Sequence, residues 1–97
     1  MYESKFGWKN KKGTSERICN CGSWKQHWIN FSDEDWPILC RVSGCTSEAT
    51  LGAHVIHPGK SGEHIVPMCI SCNNSTKVFT LKKNTSTVSA DQSGTCG

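Results

Sequence analysis

Two closely spaced pairs of cysteines constrain this chain more than any other feature of its sequence. Cys40 and Cys45 enclose four residues in CRVSGC, Cys69 and Cys72 enclose two in CISC, and 23 residues separate the pairs. A tight loop can offer two thiolates and the first turn of a helix two more, which makes the tetrahedral set that Zn²⁺ binds at about 2.3 Å. The spacing therefore predicts a structural zinc site; the alternative, four buried free thiols, requires them to cluster by chance.

Length and composition also favour a metal. The chain has 97 residues, of which 35% are hydrophobic, so its core is small for the entropy that folding costs. A bound zinc ion contributes on the order of 10 kcal/mol to the folding of such a domain. The sequence has no secretion signal and no apolar run of about 18 residues. We therefore expect a cytoplasmic protein without membrane contact, in which clustered cysteines hold metal rather than form disulfides.

Three further cysteines suggest a second metal site. Cys19 and Cys21 form a C-x-C pair, and Cys96 stands near the end of the sequence. Together with His27, about one helical turn beyond the pair, they would complete a Cys₃His zinc site. Two alternatives stay open: a redox-active C-x-C pair unrelated to Cys96, and a His27 that only covers the apolar face of a helix.

Local patterns predict a mixture of short helices and strands. Ser23 and Gln26 have the spacing of a capping box, and the aromatic residues that follow at helical spacing favour a helix over 23–31. HPGKSGE reads as the turn between two strands, and CISC as the start of a short helix. The predicted strands cover 50–56 and 64–68, with a further one in FTLKK. The tail NTSTVSADQSGTCG is polar and predicts no element.

The formal charge of +3 is unevenly distributed. Residues 1–17 carry a net +3 and residues 68–97 a net +2, whereas residues 18–67 carry −2. A zinc ion with four thiolates adds about −2, so only the two ends can attract a polyanion. We expect a mobile or loosely docked basic arm over 1–17 and one zinc-binding domain over 18–97, with its core at 40–79. The alternative for the lysines is a solvated surface.

The order of features over residues 40–77 resembles a known family. A cysteine pair, a strand with AHVI, a turn, and a strand that runs into a helix with HIVPMCISCNNSTK follow one another. This order resembles the zinc-bearing HNH endonucleases, and it implies a small α+β fold with a zinc-stapled ββα-metal (HNH- or treble-clef-like) core and a short N-terminal helix. The N-terminal half, with CNCGSW, is similar to small uncharacterised bacterial and phage proteins, a resemblance that implies no activity.

The resemblance also implies roles for individual residues. His54 falls at the general base, His64 at the residue that orients the base, and Asn73 at a ligand for a catalytic Mg²⁺ or Mn²⁺. Lys77 falls at a lysine that contacts phosphate. Ala53 departs from the family, which usually has a metal-binding Asp there. The structural alternative for His54 is a buried, hydrogen-bonded histidine.

Three classes of function are compatible with these features. The first is a metal-dependent endonuclease, for which His57, in the turn, could replace the missing ligand. The second is a non-catalytic zinc module that binds DNA or another nucleic acid, or a protein partner, and the third is a thiol redox protein using the C-x-C pair. Nucleic acid would be contacted by Lys77, Lys82 and Lys83. A protein interface would use exposed tryptophans among Trp8, Trp24, Trp28 and Trp36.

Overall fold

A computed structural model describes residues 6–11 and 23–90 of the chain. Its main element is an antiparallel five-stranded sheet, accompanied by two short helices. The elements are β1 (Phe6–Asn10), α1 (Trp24–Ser32), β2 (Leu51–His57), β3 (Lys60–Met68), α2 (Ile70–Asn73), β4 (Phe79–Thr80) and β5 (Val88–Ser89). Within the described ranges, neither helix has the length and apolar character needed to cross a membrane.

The hairpin of β2 and β3 forms the centre of the sheet. The pairing runs from Leu51 opposite Met68 to His57 opposite Lys60. The order of strands is β4-β1-β2-β3-β5, so β1 lies between β2 and β4, and β5 pairs with the far side of β3. Because successive side chains of a strand point to opposite faces, the hairpin divides the core into two halves.

Helix α1 covers one face of the sheet, which we call the helix face. Ser23 caps the helix as predicted, since its side chain accepts a 3.0 Å hydrogen bond from the Gln26 backbone. Trp28 packs there against Ile65 and Val88. The helix lies so close to β2 that a Cβ on Gly52 would stand 2.7 Å from the Trp24 backbone, and this contact requires glycine.

The opposite face, which we call the cysteine face, carries the larger hydrophobic cluster. Trp8 of β1 is fully buried in it, beside Ala53 and Val55 of β2. The other buried members come from β3, from the cysteine pairs and from the segment after β4: Cys40, Val66, Met68, Cys69 and Leu81. Strand β3 therefore contributes Val66 and Met68 to the cluster on the cysteine face and Ile65 to the cluster on the helix face.

The prediction of a small α+β fold with a ββα-metal core is wrong. The described structure is dominated by its five-stranded sheet, and the helix after the second cysteine pair, Ile70–Asn73, has only four residues. Asn, Ser and Thr follow in NNST, and their side chains compete with helical backbone hydrogen bonds, which accounts for the short helix. The edge of β2 that faces away from β3 pairs with β1, so the hairpin is part of a wider sheet.

Other local predictions agree better with the structure. The helix expected over 23–31 is α1, and the two strands of the predicted hairpin are β2 and β3, with β3 beginning four residues earlier than expected, at Lys60 rather than His64. Two segments differ from expectation. Residues 6–10 form β1 instead of belonging to a loosely docked arm, and the polar tail contains β5 and the buried Thr85 and Ser86.

Candidate metal centre

The first cysteine pair lies in a tight loop before β2. The backbone amide of Cys45 donates to Val42 O at 3.0 Å, and that of Cys40 donates to Ser47 O at 2.8 Å. Gly44 adopts φ +83°, a left-handed conformation that glycine tolerates best. These bonds turn the chain so that both thiols come from the same loop, as the spacing predicted.

The second cysteine pair lies where β3 passes into α2. Cys69 occupies the N-cap of the helix, and its sulfur accepts a hydrogen bond from the Cys72 amide at 3.4 Å. Asn73 N donates to Cys69 O at 3.0 Å, which completes the first turn. Cys72 therefore stands one turn along the helix from Cys69, and both sulfurs belong to the cysteine face.

The four sulfurs have the mutual distances of a metal site. All ligand atoms of Cys40, Cys45, Cys69 and Cys72 lie within 4.8 Å of one another. The Cys45 Sγ is 3.8 Å from that of Cys69 and 3.7 Å from that of Cys72. A tetrahedron with sulfur about 2.3 Å from its centre has edges of about 3.8 Å, whereas a disulfide needs about 2.05 Å. The cluster can therefore hold a metal ion such as zinc.

The environment of the cluster affects the thiols unequally. Burial raises the pKa of Cys40, and burial together with hydrogen bonds to neighbouring thiols raises the pKa of Cys72. A hydrogen bond from the Ser47 backbone, with further ones from the other thiols, lowers the pKa of Cys45 to about 7. Cys45 is thus the first of these three thiols to ionise, and a metal must displace protons from the other two.

Two contacts that support the cluster were not expected from the sequence. The Asn10 side chain, on β1, donates through Nδ2 to Cys72 O at 2.8 Å and to Ser75 O at 2.9 Å. Lys82 donates through Nζ to Cys45 O at 2.6 Å. Each contact joins residues that are far apart in the chain, and no local pattern signals either of them. The sequence predicts instead that Lys82 contacts nucleic acid.

The three residues assigned to catalysis do not share a pocket. His54 is only 5% exposed and stacks edge-on against Trp24, with ring centroids 4.3 Å apart. Its partner across the hairpin is Ile65, so it belongs to the helix face. His64 pairs with Val55 and contacts Trp8, which puts it on the cysteine face. His64 therefore lies on the far side of the sheet from the base that it was expected to orient.

Asn73 ends helix α2, beside the cysteine cluster, where its backbone amide donates to Cys69 O. His57, at the end of β2, stabilises the hairpin turn. Its Nδ1 accepts from Gly59 N at 2.8 Å, and its Nε2 is 2.9 Å from Phe6 O. Since Nδ1 accepts, the bond to Phe6 requires the proton on Nε2, and both nitrogens are engaged in the fold.

The residues of the second predicted metal site lie mostly outside the described structure. Of that set, only His27 is within it; Cys19, Cys21 and Cys96 are outside the described residues. His27 is fully buried on α1, and its Nε2 is 2.8 Å from Ser89 O. The second zinc site therefore stays a prediction from the sequence.

The three lysines assigned to nucleic acid lie around the cysteine pairs. Lys77 follows α2 and is exposed, Lys82 contacts Cys45, and the exposed Lys83 accepts a 2.8 Å hydrogen bond at its carbonyl from Arg41. The segment 77–83 thus runs from the second cysteine pair to the first. Trp8 and Trp28, by contrast, are at most 3% exposed and are occupied by the two hydrophobic clusters.

Comparisons with known proteins find no match to this chain among family models, curated proteins or solved structures. The resemblance to HNH endonucleases therefore rests on the residues of 40–77 alone and stays a prediction.

Proposed function

We propose that this chain is a zinc-binding module in which one Zn²⁺, held by both cysteine pairs, fixes the fold, and whose lysine-bearing surface binds nucleic acid. The observation that carries the first part is the set of sulfur separations of 3.7 and 3.8 Å, which match the edges of a ZnS₄ tetrahedron. A reducing cytoplasm, where thiols remain available to metal, suits such a module.

Zinc in this cluster would be structural. All four positions of the tetrahedron are filled by thiolates, so no position remains open for water or substrate. The ligands also join the loop before β2 to the end of β3, and Cys40 and Cys69 belong to the larger hydrophobic cluster. The ion would therefore hold the cysteine face together rather than perform chemistry.

The choice of nucleic acid as partner is supported by where the charged and aromatic residues lie. Lys77 and Lys83 are exposed on the segment that borders the cysteine pairs, where phosphates can reach them. An interface with a protein through tryptophans is less well supported, because Trp8 and Trp28 are buried. Trp24 and Trp36 are half-buried, whereas the exposed ammonium groups of Lys77 and Lys83 give this surface the positive charge that attracts a polyanion.

Binding without cleavage is the form of the proposal that the histidines support. Cleavage needs a base that reaches water and a metal ligand beside it. His54 is buried against Trp24 on the helix face, whereas Asn73 is beside the cysteines. Zinc-loaded protein with added Mg²⁺ or Mn²⁺ should therefore nick plasmid no faster than its His54→Ala variant. Faster nicking by the unaltered protein would refute the non-catalytic form.

Fluorescence anisotropy with labelled single-stranded and duplex DNA and with RNA tests the binding itself. We expect the affinity to fall steeply with salt, with a slope of about −0.9 per phosphate contact on duplex DNA. Replacing Lys77 and Lys83 together by Ala should therefore reduce that slope by about 1.8.

Lys25 supplies the matched control, because its ammonium lies over the Trp36 ring on the helix side, with Nζ 5.1 Å from the ring centroid. Lys25→Ala should leave the salt slope unchanged. Absence of binding at low salt, or equal losses in the two variants, would contradict the proposal. Binding that is insensitive to salt would point instead to recognition by something other than phosphate charge.

A further inference from the structure

Lys82 is held against the first cysteine pair at both its ends. Its Nζ donates to the carbonyl oxygen of Cys45 at 2.6 Å, and its backbone amide donates to Arg41 O at 2.8 Å. The preceding residue, Leu81, forms a β-bridge with Val42 in the same loop. The lysine is half-buried, so its long side chain lies along the protein and does not extend into solvent.

A zinc ion bound by four thiolates creates a charge problem at this place. The unit carries a net charge of about −2, and two of its ligands, Cys40 and Cys69, are at most 5% exposed. Negative charge in a poorly hydrated environment is costly unless a positive group lies beside it. The Lys82 ammonium is in direct contact with the backbone of Cys45, one of the more exposed ligands.

We infer that Lys82 is the counter-ion of the zinc site and not a contact for nucleic acid. Its ammonium offsets part of the negative charge of the ZnS₄ unit, and its hydrogen bond fixes the Cys45 carbonyl and with it the loop that presents the Cys45 thiolate. Lys82 is thus a positioning residue that sets how long zinc is retained. The inference rests on the proposed zinc module and divides the three lysines into two roles.

Lys83 provides a matched comparison. Lys83 follows Lys82 in the chain, carries the same charge and is exposed. Its hydrogen bond with Arg41 uses its backbone carbonyl and not its side chain. Changing its side chain therefore alters the net charge of the protein by the same amount as changing Lys82, without touching the Cys45 loop. Any difference between the two variants then reports the local contact.

The test measures zinc release from the full chain into an excess of a colorimetric chelator. Loss of an outer-shell partner typically lowers metal affinity by about 10–100-fold, and we expect Lys82→Met to release zinc faster by a factor in that range. Lys82→Arg, which keeps both charge and donor, should stay within about threefold of the unaltered protein. Lys83→Met should release zinc at the unaltered rate.

Two further measurements keep the test decisive. Lys82→Gln keeps a hydrogen-bond donor without the charge. Zinc release at nearly the rate of Lys82→Met supports the counter-ion role, and release at the unaltered rate overturns it.

Circular dichroism of the zinc-loaded variants identifies any that fail to fold. If Lys82→Met is one of them, the Gln and Arg variants decide. The salt slope of DNA binding should be unchanged in Lys82→Gln.

The possible failures are distinguishable. If the unaltered chain holds no zinc, the proposed function fails. If it holds zinc, but Lys82→Met and Lys83→Met release it at equal rates, only the role of Lys82 is refuted. Failure of Lys82→Arg to restore retention would also refute that role.

Discussion

The side chain of Asn10 ties strand β1 to the second cysteine pair, and its removal gives a sharp test of the fold. Its Nδ2 donates to Cys72 O and Ser75 O, at 2.8 and 2.9 Å. Asn10→Ala deletes both bonds while leaving the backbone pairing of β1 with Val55 of β2 in place. The variant therefore isolates the contact between β1 and the second cysteine pair.

The expected loss of stability depends on which hydrogen bonds remain after Asn10→Ala. A hydrogen bond of this kind contributes about 1 kcal/mol net, so two contribute about 2 kcal/mol. Cys72 O still accepts from the Ser75 amide at 3.1 Å, so it is not left without a partner. Asn10 Oδ1 is buried and has no hydrogen-bond partner among the described residues. Its removal therefore offsets part of the stability that is lost with the two hydrogen bonds. We expect a net destabilisation of about 1–2 kcal/mol.

Urea unfolding in saturating zinc, followed by tryptophan fluorescence, measures this loss. Lys9→Ala is the matched control, because Lys9 is an exposed neighbour on the same strand, and it should change the free energy of unfolding by less than about 0.5 kcal/mol. Asn10→Ala should also release zinc faster than Lys9→Ala. Equal unfolding midpoints and equal release rates in the two variants would refute the role given to Asn10.

Three further predictions concern the metal and the packing of α1. Elemental analysis should find one zinc per chain for the described cluster, and Cys40→Ser should lose it. A second zinc is expected only if a further site is formed by Cys19, Cys21, His27 and Cys96. Absence of zinc from the unaltered chain would refute the proposed centre. Zinc binding near pH 7 should release the protons of Cys40 and Cys72, whose pKa values are raised, and only part of that of Cys45, whose pKa is about 7. Apparent affinity should therefore increase as the pH rises through 7, and calorimetry in buffers of different ionisation enthalpy measures the proton release; an affinity independent of pH would contradict this. Gly52→Ala should destabilise the protein by about 3 kcal/mol or more, because its Cβ would stand 2.7 Å from the Trp24 backbone. Gly59→Ala, which meets only the His57 ring at 3.2 Å, should cost less in urea unfolding, and equal costs would mean that α1 does not lie against β2 as described.

Features encoded by short-range spacing were predictable from the sequence. The two cysteine pairs, the Ser23 cap and the hairpin each depend on residues a few positions apart, and each is found as expected. The cysteine cluster needed one additional step, the assumption that both pairs bind one ion. The structure brings the four thiols within metal-site distances of one another, and the binding of one ion by them stays a prediction.

Features that depend on distant pairing were not predictable. Strand β1 reads FGWKN, which has no clear alternation, and Gly7 within it adopts φ +111°. Its place in the sheet is decided by pairing with β2 and β4, which a local pattern does not encode. The face of the sheet on which His54 lies was equally hidden, because it depends on the position of α1 relative to the hairpin.

The position of β1 in the sheet also bears on the order in which the protein folds. The four cysteines lie within residues 40–72, in one stretch with the β2–β3 hairpin, so their cluster joins residues that are closer in the chain than those that β1 joins. Strand β1 pairs with β2 and, through Trp8 and Phe79, with β4, so its place in the sheet joins residues that are far apart in the chain. Such non-local closure is slow compared with hairpin formation. We therefore expect zinc uptake by the proposed site and completion of the sheet to be separate kinetic events, between which the open edge of β2 would be exposed to pairing with other chains.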